Sequence, residues 1–208
     1  MADLPFTPAA PELAARLDAC LDIEEKIPRA LEALGPVGDR DVLLVDGEGG
    51  RRAGQLAELG ARVRSLPLTA PGEALAAADG SADVVVGLWS SFRAPSVSEL
   101  AEADRVLRPG GRLLVVQDYG RDDVSRLRGD LPEYGAWSRR DGWYLTNGFR
   151  IRVIHCFWTF ESIDEARAFL GDAFGEAGAR VGETLKRSRL SYNVAVYHRT
   201  RGGAEPRA

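Results

Sequence analysis

This sequence is short of the residues that most often advertise a site. Its 208 residues include only two cysteines, two histidines and one methionine. Cys20 and Cys156 are too few for a disulfide framework and too far apart for a Cys-x-x-Cys motif, so both read as buried thiols in a reducing compartment. His155 sits beside Cys156 in an extended run, where neighbouring residues face opposite sides, and His198 is remote. No metal is therefore expected. No apolar run approaches the ~20 residues that span a bilayer, so no membrane segment is expected. The opening stretch MADLPFTPAAPELAARLD has no basic region followed by an apolar core, so a secretory signal is not expected and the cytoplasm is the expected compartment. An excess of positive charge is missing too. With 27 Lys and Arg against 31 Asp and Glu, the net charge of -4 offers no broad field for a nucleic-acid backbone. The local clusters Arg139-Arg140 and Lys186-Arg187, with Arg189, read first as solvated surface and second as a phosphate patch. No Gly-x-Ser-x-Gly elbow or Ser-His-Asp order suggests a hydrolase.

What is present is 45% hydrophobic sequence, enough for one buried core. We expect a single domain over residues 1–199 and a disordered polar tail over 200–208. Residues 9–34 carry two apolar stripes at helical spacing, with Pro28 expected to kink or split the helix. The period then changes. Asp41–Val45, Ala61–Leu66, Ala82–Leu88 and Arg112–Asp118 read as strands, the first and third continuous apolar runs of the kind covered on both faces. Between them lie helical stretches at Arg52–Leu59, near Pro71–Ala78, and from the Ser96/Glu99 capping box to Leu107, where Arg108–Gly111 is expected to stop the helix. Phe149–Trp158 and Leu190–Tyr197 read as an antiparallel pair at the sheet edge. A helix opened by Ser162 and Glu165, running to about Phe174, separates them. Alternation of this kind requires right-handed crossovers and a mainly parallel sheet, which binds ligands outside the carboxyl ends of its strands. That criterion gathers Asp46–Gly50, Pro67, Leu88–Phe92 and Gln117–Tyr119 at one mouth.

Two strings carry a family resemblance: DGSADVVV at 79–86 and EADRVLRPGGRLLVV at 102–116. They resemble the segments that enter the fourth and fifth strands of class I S-adenosylmethionine-dependent methyltransferases. The resemblance runs from Arg40 to Tyr119 and more weakly to Tyr197. It implies a three-layer α/β/α sandwich with a Rossmann-like, mostly parallel seven-stranded sheet whose last strand is antiparallel. It also implies S-adenosylmethionine as cofactor and methyl transfer to a small or medium acceptor; the charge and the lack of a long apolar run already speak against a nucleic-acid or membrane partner.

The glycine-rich cofactor loop of that family is altered here. With the first strand aligned, Leu44 takes the acidic position, Asp46 and Glu48 replace two glycines, and Gly50 alone matches. A shift by two residues makes Asp46 the acid but leaves Glu48 and Arg52 on glycine positions. A dinucleotide Gly-x-Gly-x-x-Gly beginning at Gly47 likewise fails at Arg52. The family's ribose-binding acid, at the end of the second strand, corresponds to Pro67. The resemblance thus makes Asp46, Gly47, Glu48, Gly49 and Gly50 the cofactor residues, with Leu66 and Leu88 beside them. Glu48 either binds the cofactor's amino group or repels its carboxylate.

On the acceptor side, Trp89, Phe92, Tyr119 and Trp143 are the expected pocket residues, and Asp118 and Tyr144 the candidate catalytic groups. Packing under a loop competes for the aromatics, and helix capping or solvation for Asp118. The aromatic stretch Tyr134–Phe149, within an insertion over 120–149, reads as a lid, an edge cover or a homodimer contact. The competing reading of the whole chain is a non-catalytic module that keeps the methyltransferase fold, has lost its cofactor and binds a ligand or partner.

Overall fold

The computed structural model describes residues 4–45, 50–67, 73–93, 95–129, 131 and 133–202. The chain opens with α1 (Pro11–Cys20), α2 (Lys26–Leu34), β1 (Asp41–Val45), α3 (Arg51–Glu58) and β2 (Arg62–Leu66). It continues through β3 (Ala82–Leu88), α4 (Val97–Val106) and β4 (Leu107–Asp118). Three short helices follow: α5 (Asp123–Leu127), α6 (Glu133–Ala136) and α7 (Trp143–Thr146). The last elements are β5 (Arg150–Thr159), α8 (Ile163–Thr184) and β6 (Arg189–Thr200). The strands form one sheet in the order β2-β1-β3-β4-β6-β5. The first four are mutually parallel, and β6 runs antiparallel to both β4 and β5.

The continuous apolar runs are central strands because both sheet faces are covered. Val42, Leu44, Val84 and Val86 point into a cluster with Leu17, Leu31, Leu56 and Phe169 from α1, α2, α3 and α8. Leu43, Val45 and Val85 point the other way, onto α4 and the aromatic insertion through Leu100, Ala103 and Tyr144. Burying each such side chain stabilises by about 1.5–3 kcal/mol, which makes these alternating faces the main source of fold stability. Cys20 and Cys156 are buried, unpaired thiols of the first cluster. Burial, followed by the charge of Glu165, pushes the Cys20 thiol up to about 12.

The structure corrects the sequence reading in four places. Six strands are found among the described residues, not seven. Only residues 67–81 separate β2 from β3, room for one crossover but not for a further strand with its own helix. Within that stretch the expected helix near Pro71–Ala78 is absent at 73–78, and 71–72 lie outside the described residues. The N-terminal helical region breaks at Leu21–Glu25, not at Pro28. Pro28 falls in the first turn of α2, where a missing N–H costs nothing. The break occurs because Leu21 bridges to Trp158 and the Asp22 N–H donates to the Phe157 carbonyl, drawing the chain onto β5. Finally, Arg108–Gly111 does not separate helix from strand. It bulges out of β4, whose pairing with β3 jumps from Ala82↔Leu107 to Val84↔Arg112.

The Ser96 capping box is formed in both directions. Ser162 likewise accepts from the Glu165 N–H, and the Glu165 carboxylate accepts from the Glu161 N–H. The α8 helix continues past Phe174 through a non-helical Gly175. Thr200 ends β6, and 203–208 lie outside the described residues. No helix of the described residues is long and apolar enough to cross a membrane.

Candidate functional site

The carboxyl ends of β1, β2, β3 and β4 emerge on one side of the sheet, and the chain crosses from β1 to β2 in one direction while β3 lies in the other. The crevice between β1 and β3 is therefore the topological switch point. Asp46, Gly47, Glu48 and Gly49, which leave β1 there, lie outside the described residues. Gly50 is the N-cap of α3 and gives it no side-chain cap; no acidic residue occupies the first turn.

The two arginines that open α3 are turned toward the N-terminal segment. Arg51 Nη2 donates to the Leu21 carbonyl, and its Nε lies 3.4 Å from an Asp18 carboxylate oxygen. Arg52 is 1% exposed, with Nη1 at 2.7 Å from Gln55 Oε1 and 3.7 Å from Asp22 Oδ2. Asp22, itself buried, accepts from the Lys26 and Ile27 N–H groups at 3.0 and 2.8 Å. One carboxylate thus caps α2 and faces the arginine of α3. At the end of β2, Leu66 is in the core and Pro67 is exposed, presenting no side-chain acceptor.

At the end of β3 the backbone doubles back. A Cβ on Gly87 would stand 2.6 Å from the Phe92 ring, so only glycine lets that ring lie against the strand. Trp89 and Phe92 both adopt left-handed backbone, with φ of 21° and 51°. Such conformations cost of order 1–3 kcal/mol for a non-glycine residue and persist where the surroundings over-determine them. Leu88, Trp89 and Phe92 are all buried. Val45, Ser91, Phe92 and residues of the 73–102 stretch, Leu75 and Glu99 among them, enclose a cavity of about 30 Å³, room for a water or two.

At the end of β4 two adjacent polar side chains divide between the sheet's faces. Gln117 is fully buried and donates from Nε2 to the Ser91 carbonyl at 3.2 Å. Its Oε1 meets no donor among the described residues. Asp118, 5% exposed, takes a 2.6 Å bond from Arg128 Nη1 and accepts the Tyr192 hydroxyl. That hydroxyl in turn accepts from Trp89 Nε1 at 2.9 Å. Burial holds the Tyr192 hydroxyl far above its ordinary pKa, and the Asp118 charge adds to it. Burial also raises Tyr134 and Asp122, with the Asp118 charge again contributing. Asp122 caps α5 and accepts the Asn193 N–H.

Tyr119 is half-buried and donates its N–H to the Asn193 carbonyl. Tyr144 is fully buried, stacks 3.9 Å from Tyr197 and donates its hydroxyl to the Phe92 carbonyl. Trp143 and Trp137 pack edge-on to Tyr144, at 5.3 and 6.0 Å. The Tyr134–Phe149 stretch therefore sits on the second sheet face and buttresses the Phe92 turn. His155 pairs with Asn193 at 2.7 Å, and no group of three His, Cys, Asp or Glu among the described residues is placed to hold a metal.

Sequence reasoning missed four members of this mouth: Asp22, Arg52, Arg128 and Tyr192. Arg52 entered only as a failed glycine position. The signal for Tyr192 was available, because alternation along Leu190–Tyr197 puts it on the face of Val194 and Val196. Nothing local marked Asp22 or Arg128.

No family profile matches the sequence, and no curated protein matches it. Solved structures do. A protein of Bacillus halodurans assigned as a methyltransferase shares 15% identity over 85% of this chain and 99% of its own, with a TM-score of 0.53. An assigned type II methyltransferase of Anaeromyxobacter dehalogenans shares 18% identity over 97% of this chain and all of its own, also at 0.53. One from an antibiotic biosynthesis pathway of Anabaena variabilis shares 16% over 86% and 98%, at 0.54. At such identities the likeness establishes the fold: the chain has the class I methyltransferase fold, Rossmann-like and mostly parallel with an antiparallel last strand.

Proposed function

We propose that this protein is a cytoplasmic enzyme that transfers a methyl group from S-adenosylmethionine to a small or medium acceptor. The observation that supports the reading is the switch-point crevice between β1 and β3 on a fold shared with assigned methyltransferases. When bound, the cofactor supplies a methyl group on a sulfonium, open to in-line displacement.

The described residues fit one end of that cofactor and not the other. The start of α3, where Gly50 supplies no side-chain cap, has the positive dipole end of a helix, complementary to an amino-acid carboxylate. The end of β2 offers nothing to the ribose hydroxyls, because Pro67 stands where a carboxylate is needed. A carboxylate–hydroxyl bond of roughly 1.5–3 kcal/mol corresponds to one to two decades of affinity, so cofactor binding should be weak. Trp89 and Phe92 wall the mouth against water. Asp118, pinned by Arg128 and Tyr192, holds the mouth's shape and polarity, and Tyr144 holds the Phe92 turn.

A second reading, a non-catalytic module on this fold, is favoured by one observation. Residues 18–22 occupy Arg51 and face Arg52, closing the N-terminal segment over the start of α3. Calorimetric titration with S-adenosylmethionine and S-adenosylhomocysteine separates the two. Saturable binding, tightened about tenfold or more by Pro67→Asp, supports the enzyme. No binding at millimolar ligand by the folded protein leaves the module.

A further inference from the structure

A groove of about 660 Å³ opens between α5, the distal half of α8 and the start of β6. The size is that of a small-molecule site. Its shape depends on glycine. Gly175 is non-helical, with φ 58° and ψ -137°, and turns the second half of α8 aside. A Cβ on Gly178 would lie 1.8 Å from the Leu170 carbonyl oxygen, so no larger residue permits that crossing. The turned segment presents Ala177, Val181 and Thr184 on one face, at helical spacing.

The floor is apolar: Leu127 from α5, Val181, Leu185, and Leu190 from β6. The rim is cationic. Arg126, Arg180, Lys186, Arg187 and Arg189 line it against the single carboxylate of Asp123, a local charge of +4 in a chain of net charge -4. Arg126 is taken up by Asp123 at 3.1 Å, and Arg189 lies 4.4 Å over the Phe157 ring. Arg180, Lys186 and Arg187 are exposed and join no ion pair among the described residues. Three cations outside any ion pair around an apolar floor are complementary to an amphipathic anion.

We propose that this groove binds a small molecule with an anionic head, a phosphate monoester or a carboxylate, and an apolar body. The head meets Arg180, Lys186 and Arg187, and the body lies on Val181, Leu185 and Leu190. The proposal does not depend on methyl transfer.

The test is calorimetric titration of the full chain with octyl phosphate and octanoate below their micellar concentrations, with inorganic phosphate and octanol as controls. Saturable binding of one or both amphiphiles is expected, tighter than either control and weakened by added salt. The relative affinity of the two tells which head the site prefers. The double variant Arg180→Glu/Arg187→Glu, at exposed positions, should bind about tenfold or more weakly with an unchanged circular dichroism spectrum and melting temperature. Three results overturn the proposal: no saturation at millimolar amphiphile, equal affinity in the charge-reversed variant, or capture by anionic phosphatidylglycerol vesicles without binding of monomeric octyl phosphate.

Discussion

Two buried ion pairs flank the mouth of the sheet, and they are built from different materials. Asp22 spends its oxygens on two backbone N–H groups of α2, and Arg52 stands 3.7 Å away, so this pair is a helix cap with a cation beside it. Asp118 is held by side chains, from Arg128 at 2.6 Å and from Tyr192, which links on to Trp89. The α3 side of the mouth is thus fastened through the main chain and the β4 side through side chains. Substitution should uncouple shape from polarity at Asp118 but not at Asp22.

The largest effect is expected from Asp22→Ala. It removes the α2 cap and leaves the Arg52 charge buried, a loss of about 3–5 kcal/mol or outright failure to fold, read from urea unfolding. A loss under about 1 kcal/mol would show that the pair fastens nothing. Asp118→Asn keeps the shape and an acceptor for Tyr192 but takes away the charge opposite Arg128. About 2–3 kcal/mol should be lost by the same measurement, with the fold retained. Equal losses at Asp22 and Asp118 would erase the distinction drawn between the pairs. Trp89→Phe removes the donor to Tyr192, which still donates to Asp118, and leaves a small cavity where the larger indole packed; it should cost about 2 kcal/mol.

The smallest effect calibrates the background, outside both pairs. Burial, then Arg112 and Arg150, hold His198 below its ordinary value of 6.5. The unfolded chain therefore takes up this proton first as pH falls. The stability is present above about pH 6.5 and is lost as pH falls toward the lower folded value. His198→Asn should flatten the change in urea midpoint between pH 7.5 and 5.5, and an unaltered slope would assign that change to other groups.

Much of the scaffold was legible from local pattern. The apolar runs at Asp41–Val45 and Ala82–Leu88 read as covered strands and are, and Ser96 with Glu99 and Ser162 with Glu165 mark helix starts by chemistry that acts within four residues. The strand count was misjudged because a family pattern was carried onto a 67–81 connection too short to hold it. Pro28 misled because a proline is equally at home in a first turn as at a break. At the mouth, Trp89, Phe92 and Asp118 were found by position at strand ends, whereas their partners Tyr192 and Arg128 were not, since nothing in their own neighbourhood signals the meeting.

The sequence by itself determined the main strands and the helices with capping boxes, and that the carboxyl ends of a parallel sheet are where such a fold takes a ligand. Those follow from side-chain period, from capping and from the handedness of crossovers, all short-range in the chain. Only the tertiary structure decided that Asp22 faces Arg52, that Asp118 is shared by Arg128 and Tyr192, and that a glycine kink in α8 opens a cationic groove beside β6. Such contacts join residues far apart in sequence. Their energies arise from burial and charge pairing that do not exist until the chain has closed around them.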